Sequence, residues 1–317
     1  MADDVSGVNP FEANLLARYR GQKPDAPAWF EAAIATPYET HFVDVDGTRV
    51  KYQCYGNKDK PGLLLAHGNG AHAHWYDFIA PAFIEDYHVV SITFSGMGDS
   101  DWREMYGFRT FADEELAVCE HAGLFDHGRK PVIVAHSFGG FITLRAAQTH
   151  ADKFTGVIIA DSGIRPPEDQ WDGPPRRSRG NRAYATLDAA LARFRLAPPQ
   201  PCENHYIADY IARHSLKQVE NEDGQTGWIW KFDPAIFVNF EFSDMSTNLL
   251  AGVSCNVALM RGQDSELVTD RIWDYMRSLR TEPMDMVSIP NAQHHLFLDQ
   301  PLAFIDSLKA QLKSWDY

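Results

Sequence analysis

The chain has 317 residues, with 29 Lys and Arg against 43 Asp and Glu, a formal net charge of −14. Hydrophobic residues make up 44% and charged residues 23%, enough apolar material for a core, which excludes disorder as the main state. The acidic balance argues against a nucleic-acid partner or docking on anionic lipid, both of which need clustered Lys and Arg.

Residues 1–37 open on MADDVSGVNPFE, acidic and polar, with neither the basic nor the apolar region of a secretory signal. A short helix is predicted around Trp29-Phe30-Glu31-Ala32-Ala33, within what reads as an N-terminal extension on the surface. Next, His41–Val45 and Thr48–Tyr52 alternate in the strand manner across Asp46-Gly47, a hairpin signal. The pattern then changes to continuous apolar runs at Gly62–Ala66, His88–Ile92, Pro131–Ala135 and Gly156–Ala160. Such runs suit strands covered on both faces, as in a parallel sheet. Helix-period stretches lie between them at Phe111–Ala122 and Gly140–Thr149.

The rhythm breaks at about residue 164, where seven prolines fall between Pro166 and Pro201. Helix-like and aromatic segments continue to about 249. Strands return at Cys255–Met260 and Met284–Ile289, each followed by a helix, Thr269–Leu279 and Leu302–Trp315. Alternating strands and helices predict an α/β core over 38–163 and 250–317, interrupted by a mainly helical insertion over 164–249. No run approaches the roughly 18–20 apolar residues of a membrane-spanning helix. Cys54, Cys119, Cys202 and Cys255 are scattered without CxxC or CxxxC spacing. That is the pattern of reduced thiols in the cytoplasm, not of a disulfide framework or zinc site.

Ala135-His136-Ser137-Phe138-Gly139-Gly140 directly follows a buried-strand signal and opens a helix. Two later segments stand in order. Met260-Arg261-Gly262-Gln263-Asp264 follows one strand; Asn291-Ala292-Gln293-His294-His295-Leu296 follows the last and leads to Gln300-Pro301. His67-Gly68-Asn69-Gly70 follows the strand at 62–66, and Phe94-Ser95-Gly96-Met97-Gly98-Asp99-Ser100 follows that at 88–92. The set resembles the α/β-hydrolase superfamily: the G-x-S-x-G nucleophile elbow with Ala135 for the first Gly, the H-G-x turn, and the order Ser…Asp…His.

That resemblance implies an α/β-hydrolase fold, a mostly parallel sheet flanked by helices with an inserted lid. It implies Ser137 as nucleophile, Asp264 as acid and His294 as base, with the Asn69 and Phe138 N–H groups as oxyanion hole. Asp161 is the rival acid, because some members place it after the strand at 156–160, and His295 is the rival base. Trp75, Met97 and Leu296, beside the motifs, are candidates for the substrate pocket, and the insertion's Trp171, Trp228, Trp230, Phe232, Phe237 and Phe240 for its own small core or the pocket. His67, His72, His74 and His136 are better explained by the turn and the elbow than by a metal. Gly96-Met97-Gly98 lacks the third Gly of a dinucleotide loop. Arg176-Arg177-Ser178-Arg179 reads as a solvated face.

The residue types imply a serine hydrolase acting on a small, apolar carboxylic ester without cofactor or metal. Serine at the elbow argues against the epoxide hydrolases and haloalkane dehalogenases, which use Asp there. A lactonase, a C–C bond hydrolase or a ligand-binding protein keeping the fold are the alternatives, since function lives in the pocket.

Overall fold

The computed structural model describes residues 14–169, 181–220, 224, 226–242 and 249–317. In chain order these begin with α1 (Ala28–Ile34), the hairpin β1 (Glu39–Val45) and β2 (Thr48–Tyr55), then β3 (Gly62–Ala66) and β4 (His88–Thr93). They continue through β5 (Tyr106–Gly107), α2 (Phe108–His121), β6 (Val132–His136), α3 (Phe138–His150) and β7 (Gly156–Ala160). Next come α4 (Leu187–Leu191), α5 (His205–His214), β8 (Leu216–Glu220), β9 (Thr226–Trp230) and β10 (Phe240–Glu241). The chain closes with β11 (Asn256–Gly262), α6 (Asp270–Ser278), β12 (Asp285–Ile289), α7 (Leu296–Asp299) and α8 (Pro301–Ser314).

Eight strands form one sheet in the order β1-β2-β4-β3-β6-β7-β11-β12. β1 and β2 pair antiparallel, β2 joins β4 antiparallel, and every later pairing is parallel. The unbroken apolar strands have the burial their composition demands: all residues of β3, β4, β6 and β7 are buried. The fold is thus α/β, with a mostly parallel central sheet flanked by helices.

Strand order reverses at β3. The chain steps from β3 outward to β4, then returns to the other side of β3 for β6. In open α/β sheets the crevice at the carboxyl ends of the strands flanking such a reversal is where ligands bind. The segments following β3 and β6 are His67–Gly70 and Ser137–Gly139.

The described residues group into two compact units. One holds 14–27 with 181–231; the other holds the sheet, from residue 28 to 169 and from 232 onward. Of the described residues up to 37, 14–27 group with 181–231, while α1 belongs with the sheet unit and buries Phe30 against Phe78 at a ring distance of 5.7 Å. The sheet unit also resumes at Phe232, not at 250. Phe240 and Glu241 account for that, because β10 pairs with β5 beside Tyr106 and Gly107. The smaller unit is not only helical: β8 and β9 form an antiparallel hairpin. Its parts are tied by Tyr19 Oη to His205 Nδ1 at 2.9 Å and by Arg213 donating to Gly21 O at 2.8 Å. Trp171 and Arg176–Arg179 lie outside the described residues.

Candidate active site

Ser137 sits between β6 and α3 with φ 54° and ψ −120°, a conformation that costs a non-glycine residue of order 1–3 kcal/mol. Three hydrogen bonds hold it there. Its N–H donates to Ala160 O at 2.8 Å, while its carbonyl accepts Ser162 Oγ at 2.7 Å and Gly140 N–H at 3.0 Å. Small neighbours are a packing requirement. A Cβ on Gly139 would lie 2.5 Å from His67 O, and one on Gly68 would lie 3.1 Å from Ser137 Cβ. The elbow and the turn after β3 therefore touch through glycine. Ser137 itself stays partly exposed.

His294 lies between β12 and α7, and is 3% exposed. Its Nδ1 is 2.8 Å from Asp161 Oδ1. A carboxylate only accepts, so Nδ1 carries a proton, which in a neutral imidazole leaves the lone pair on Nε2. His295, the rival base, has its ring 5.7 Å from that of Trp75. Burial, with His294 and His136 beside it, holds the His295 imidazole well below its ordinary range.

The two candidate carboxylates are placed differently. Asp264 does not meet His294: it is exposed, and its N–H donates to Ala292 O at 2.9 Å. Asp161 is the carboxylate that meets His294, 1% exposed and with φ 50°. Its Oδ1 also accepts Ser265 Oγ at 2.7 Å, and its Oδ2 accepts Gly262 N–H at 2.9 Å. Two features of packing explain the difference. β6 and β7 are adjacent and pair His136 with Ala160, so Ser137 and Asp161 each stand one residue past the same rung. The end of β11 is pressed onto the 292–293 backbone, where a Cβ on Gly262 would collide, so it offers Asp161 an amide. Asp264's neighbour Ser265 reaches the site, but Asp264 does not.

The turn after β3 is fixed by His67, whose Nδ1 donates to Gly68 O at 2.7 Å and whose Nε2 accepts Phe94 N–H at 3.0 Å. Burial pushes this imidazole down to about 4, so it is neutral scaffolding. Asn69 is exposed, and the next amide, Gly70, donates to Met97 Sδ at 3.3 Å. Phe138 N–H begins α3, where the first amides have no intrahelical acceptor and the helix dipole favours negative charge.

Of the pocket candidates, Trp75 and Leu296 are buried at 7% and 0%, and Trp75 packs against His295 and Phe297. The 3-10 turn at Ala73–Tyr76 is packed onto the His295–Phe297 segment. Met97 is 1% exposed. The partly exposed aromatic beside Ser137 is Phe138, ringed by Phe108, Phe111, Phe237 and Phe240 at 5.6–5.8 Å. Ser162 and Ser265, which donate to Ser137 O and Asp161 Oδ1, carry no sequence signal beyond lying beside an aspartate.

Among the described residues no cluster of three His, Cys, Asp or Glu is placed to hold a metal, and no helix is long and apolar enough to cross a membrane.

Comparison with known proteins agrees with this architecture. The esterase Rv0045c of Mycobacterium tuberculosis is 23% identical over 261 residues, 80% of this chain and 83% of that one. Its crystal structure superposes with a TM-score of 0.63 at 18% identity, covering 98% of this chain and 99% of that one. A thioesterase domain from the curacin biosynthetic pathway gives a TM-score of 0.69 at 19% identity, covering 86% of this chain and all of that one. A haloalkane dehalogenase of Sphingobium indicum is 26% identical over 153 residues, 46% of this chain and 49% of that one. The family model described as "Alpha/beta hydrolase family" matches residues 63–307, from β3 into α8. The chain belongs to the α/β hydrolase family.

Proposed function

We propose that the protein is a serine hydrolase that cleaves a carboxylic ester, with Ser137 as nucleophile, His294 as base and Asp161 as acid. The observation that carries this reading is the buried His294–Asp161 pair at 2.8 Å beside a strained, partly exposed serine. A serine hydroxyl is a weak nucleophile until a base takes its proton. In this reading Ser137 Oγ attacks the ester carbonyl as its proton passes to His294 Nε2. Asp161 keeps its charge and stabilises the imidazolium. The carbonyl oxygen becomes an oxyanion held by the Asn69 and Phe138 N–H groups. Each such donor is worth about 3 kcal/mol in the transition state. The intermediate collapses, His294 returns the proton to the departing alcohol, and water repeats the sequence on the acyl-enzyme to release the acid.

Phe138 and the four phenylalanines around it support an apolar acyl or alcohol group, since aromatic side chains give a pocket its apolar lining. Hydrolysis of p-nitrophenyl acetate, butyrate and octanoate by wild type and Ser137→Ala tests the proposal. Wild-type turnover that disappears in Ser137→Ala is expected, and the ranking of the three esters sizes the pocket. Equal activity in both proteins removes Ser137 from the role of nucleophile.

A further inference from the structure

His136 ends β6 immediately before Ser137, and its side chain is used by none of the steps above. Its Nε2 lies 2.9 Å from the main-chain oxygen of His294. A carbonyl oxygen only accepts, so this nitrogen carries the proton and donates. The ring lies 4.7 Å from that of His294 and 4.9 Å, edge-on, from Phe297. Its other nitrogen would be 3.1 Å from a Cβ placed on Gly68, so the imidazole also backs the turn that carries Asn69. The residue is 3% exposed. One side chain thus touches all three parts of the site: the nucleophile elbow, the base loop and the oxyanion turn.

We propose that His136 is a positioning residue: its Nε2–H fixes the main chain of His294 relative to Ser137, and so holds Nε2 of the base in line with the nucleophile. The inference rests on the serine-hydrolase reading. The base loop lies 158 positions along the chain from the elbow, and the other main-chain bonds of its carbonyls run to its own side of the sheet. Ala292 O accepts Asp264 N–H; His295 O accepts the amides of Leu298 and Asp299. The bond from His136 crosses to the strand carrying Ser137. Burial, with His294 next to it, keeps His136 neutral, so it adds no second positive charge when His294 takes the proton.

Two substitutions separate the hydrogen bond from the packing of the ring. His136→Phe keeps an aromatic ring against Phe297 and removes the donor; His136→Gln restores an amide donor on a flexible stem. Active sites are first counted by the end point of fluorophosphonate labelling, so misfolded protein does not enter the rate. For p-nitrophenyl butyrate, His136→Phe is expected to lose about 10- to 100-fold in kcat per labelled site with KM within about twofold, the scale of a misplaced catalytic group. His136→Gln is expected to recover to within about fivefold of wild type. Wild-type kcat per site in His136→Phe overturns the proposal, as does a folded His136→Gln no better than His136→Phe. If His136→Phe does not fold, the rate of His136→Gln decides alone, since retention supports the donor and loss rejects it. Failure of the parent reading looks different: wild type is then neither labelled nor active.

Discussion

The Asp161 carboxylate accepts hydrogen bonds from His294, Ser265 and the Gly262 amide, so its charge is both buried and satisfied. Asp161→Asn leaves the shape and removes that charge, and the amide no longer selects the tautomer in which Nδ1 is protonated. A loss of roughly 10³- to 10⁴-fold in kcat is expected, by analogy with the same exchange in a serine-protease triad. Asp264→Asn, at an exposed position, is expected to stay within about twofold of wild type. Measuring the two variants side by side on p-nitrophenyl butyrate checks both. The reverse ranking would return the acid to Asp264. The sequence held both carboxylates in view, each following a buried strand. It lacked the information that decides between them, the facing of β7 and the end of β11 toward one imidazole.

At the scale of elements, α2 and α3 pack through a polar contact that helix periodicity conceals. Glu115 lies fully buried on α2 and accepts Thr143 Oγ1 of α3 at 2.6 Å, while its other oxygen has no hydrogen-bond partner among the described residues. Burial pushes its carboxyl up to about 8. Between the unfolded value of about 4.3 and this raised value, the folded chain keeps a proton that the unfolded chain has released. Stability therefore falls as pH rises through that window and levels off above it. Glu115→Gln keeps the acceptor for Thr143 without a titrating group. It is expected to be more stable than wild type at pH 8, on the order of 2 kcal/mol, with the difference shrinking toward pH 5. Urea unfolding at the two pH values measures this, and parallel pH dependence in both proteins would reject it. The strands and long helices were legible because burial on two faces, or on one stripe, writes itself into composition and period. The β5–β10 pair and the β8–β9 hairpin were not, since two-residue strands and half-exposed strands rich in polar residues leave little pattern.

For the whole molecule, four buried histidines are expected to limit stability in acid. Burial holds His67 and His88 down to about 4, and His136 and His295 well below their ordinary range. Their folded values lie under the unfolded value of about 6.5, so the stability they allow is complete above that pH. It is lost as pH falls toward the folded values, because the unfolded chain then takes up protons that the fold refuses. His88 is the one to test, being remote from the site with neither ring nitrogen partnered among the described residues. His88→Leu is expected to match or exceed wild type at pH 7 and to lose less Tm between pH 7 and pH 4.5. Thermal melts of both proteins across that range check it; identical slopes would clear His88 of the effect.

The sequence by itself determined the fold class, the order of the sheet's strands along the chain, and the chemical types gathered near one crevice. Serine at an elbow of small residues, a histidine after the last strand and an H-G turn after β3 each follow from local patterns, because strand ends and tight turns are dictated by neighbouring residues. Tertiary structure alone decided which carboxylate meets His294, which imidazoles are scaffolding, and where the two compact units divide. Those outcomes depend on strands far apart in the chain lying side by side. Asp161 faces His294 because β7 lies between β6 and β11 in the sheet, and His136 reaches the base loop because β6 ends beside it. No short window of sequence contains either distance.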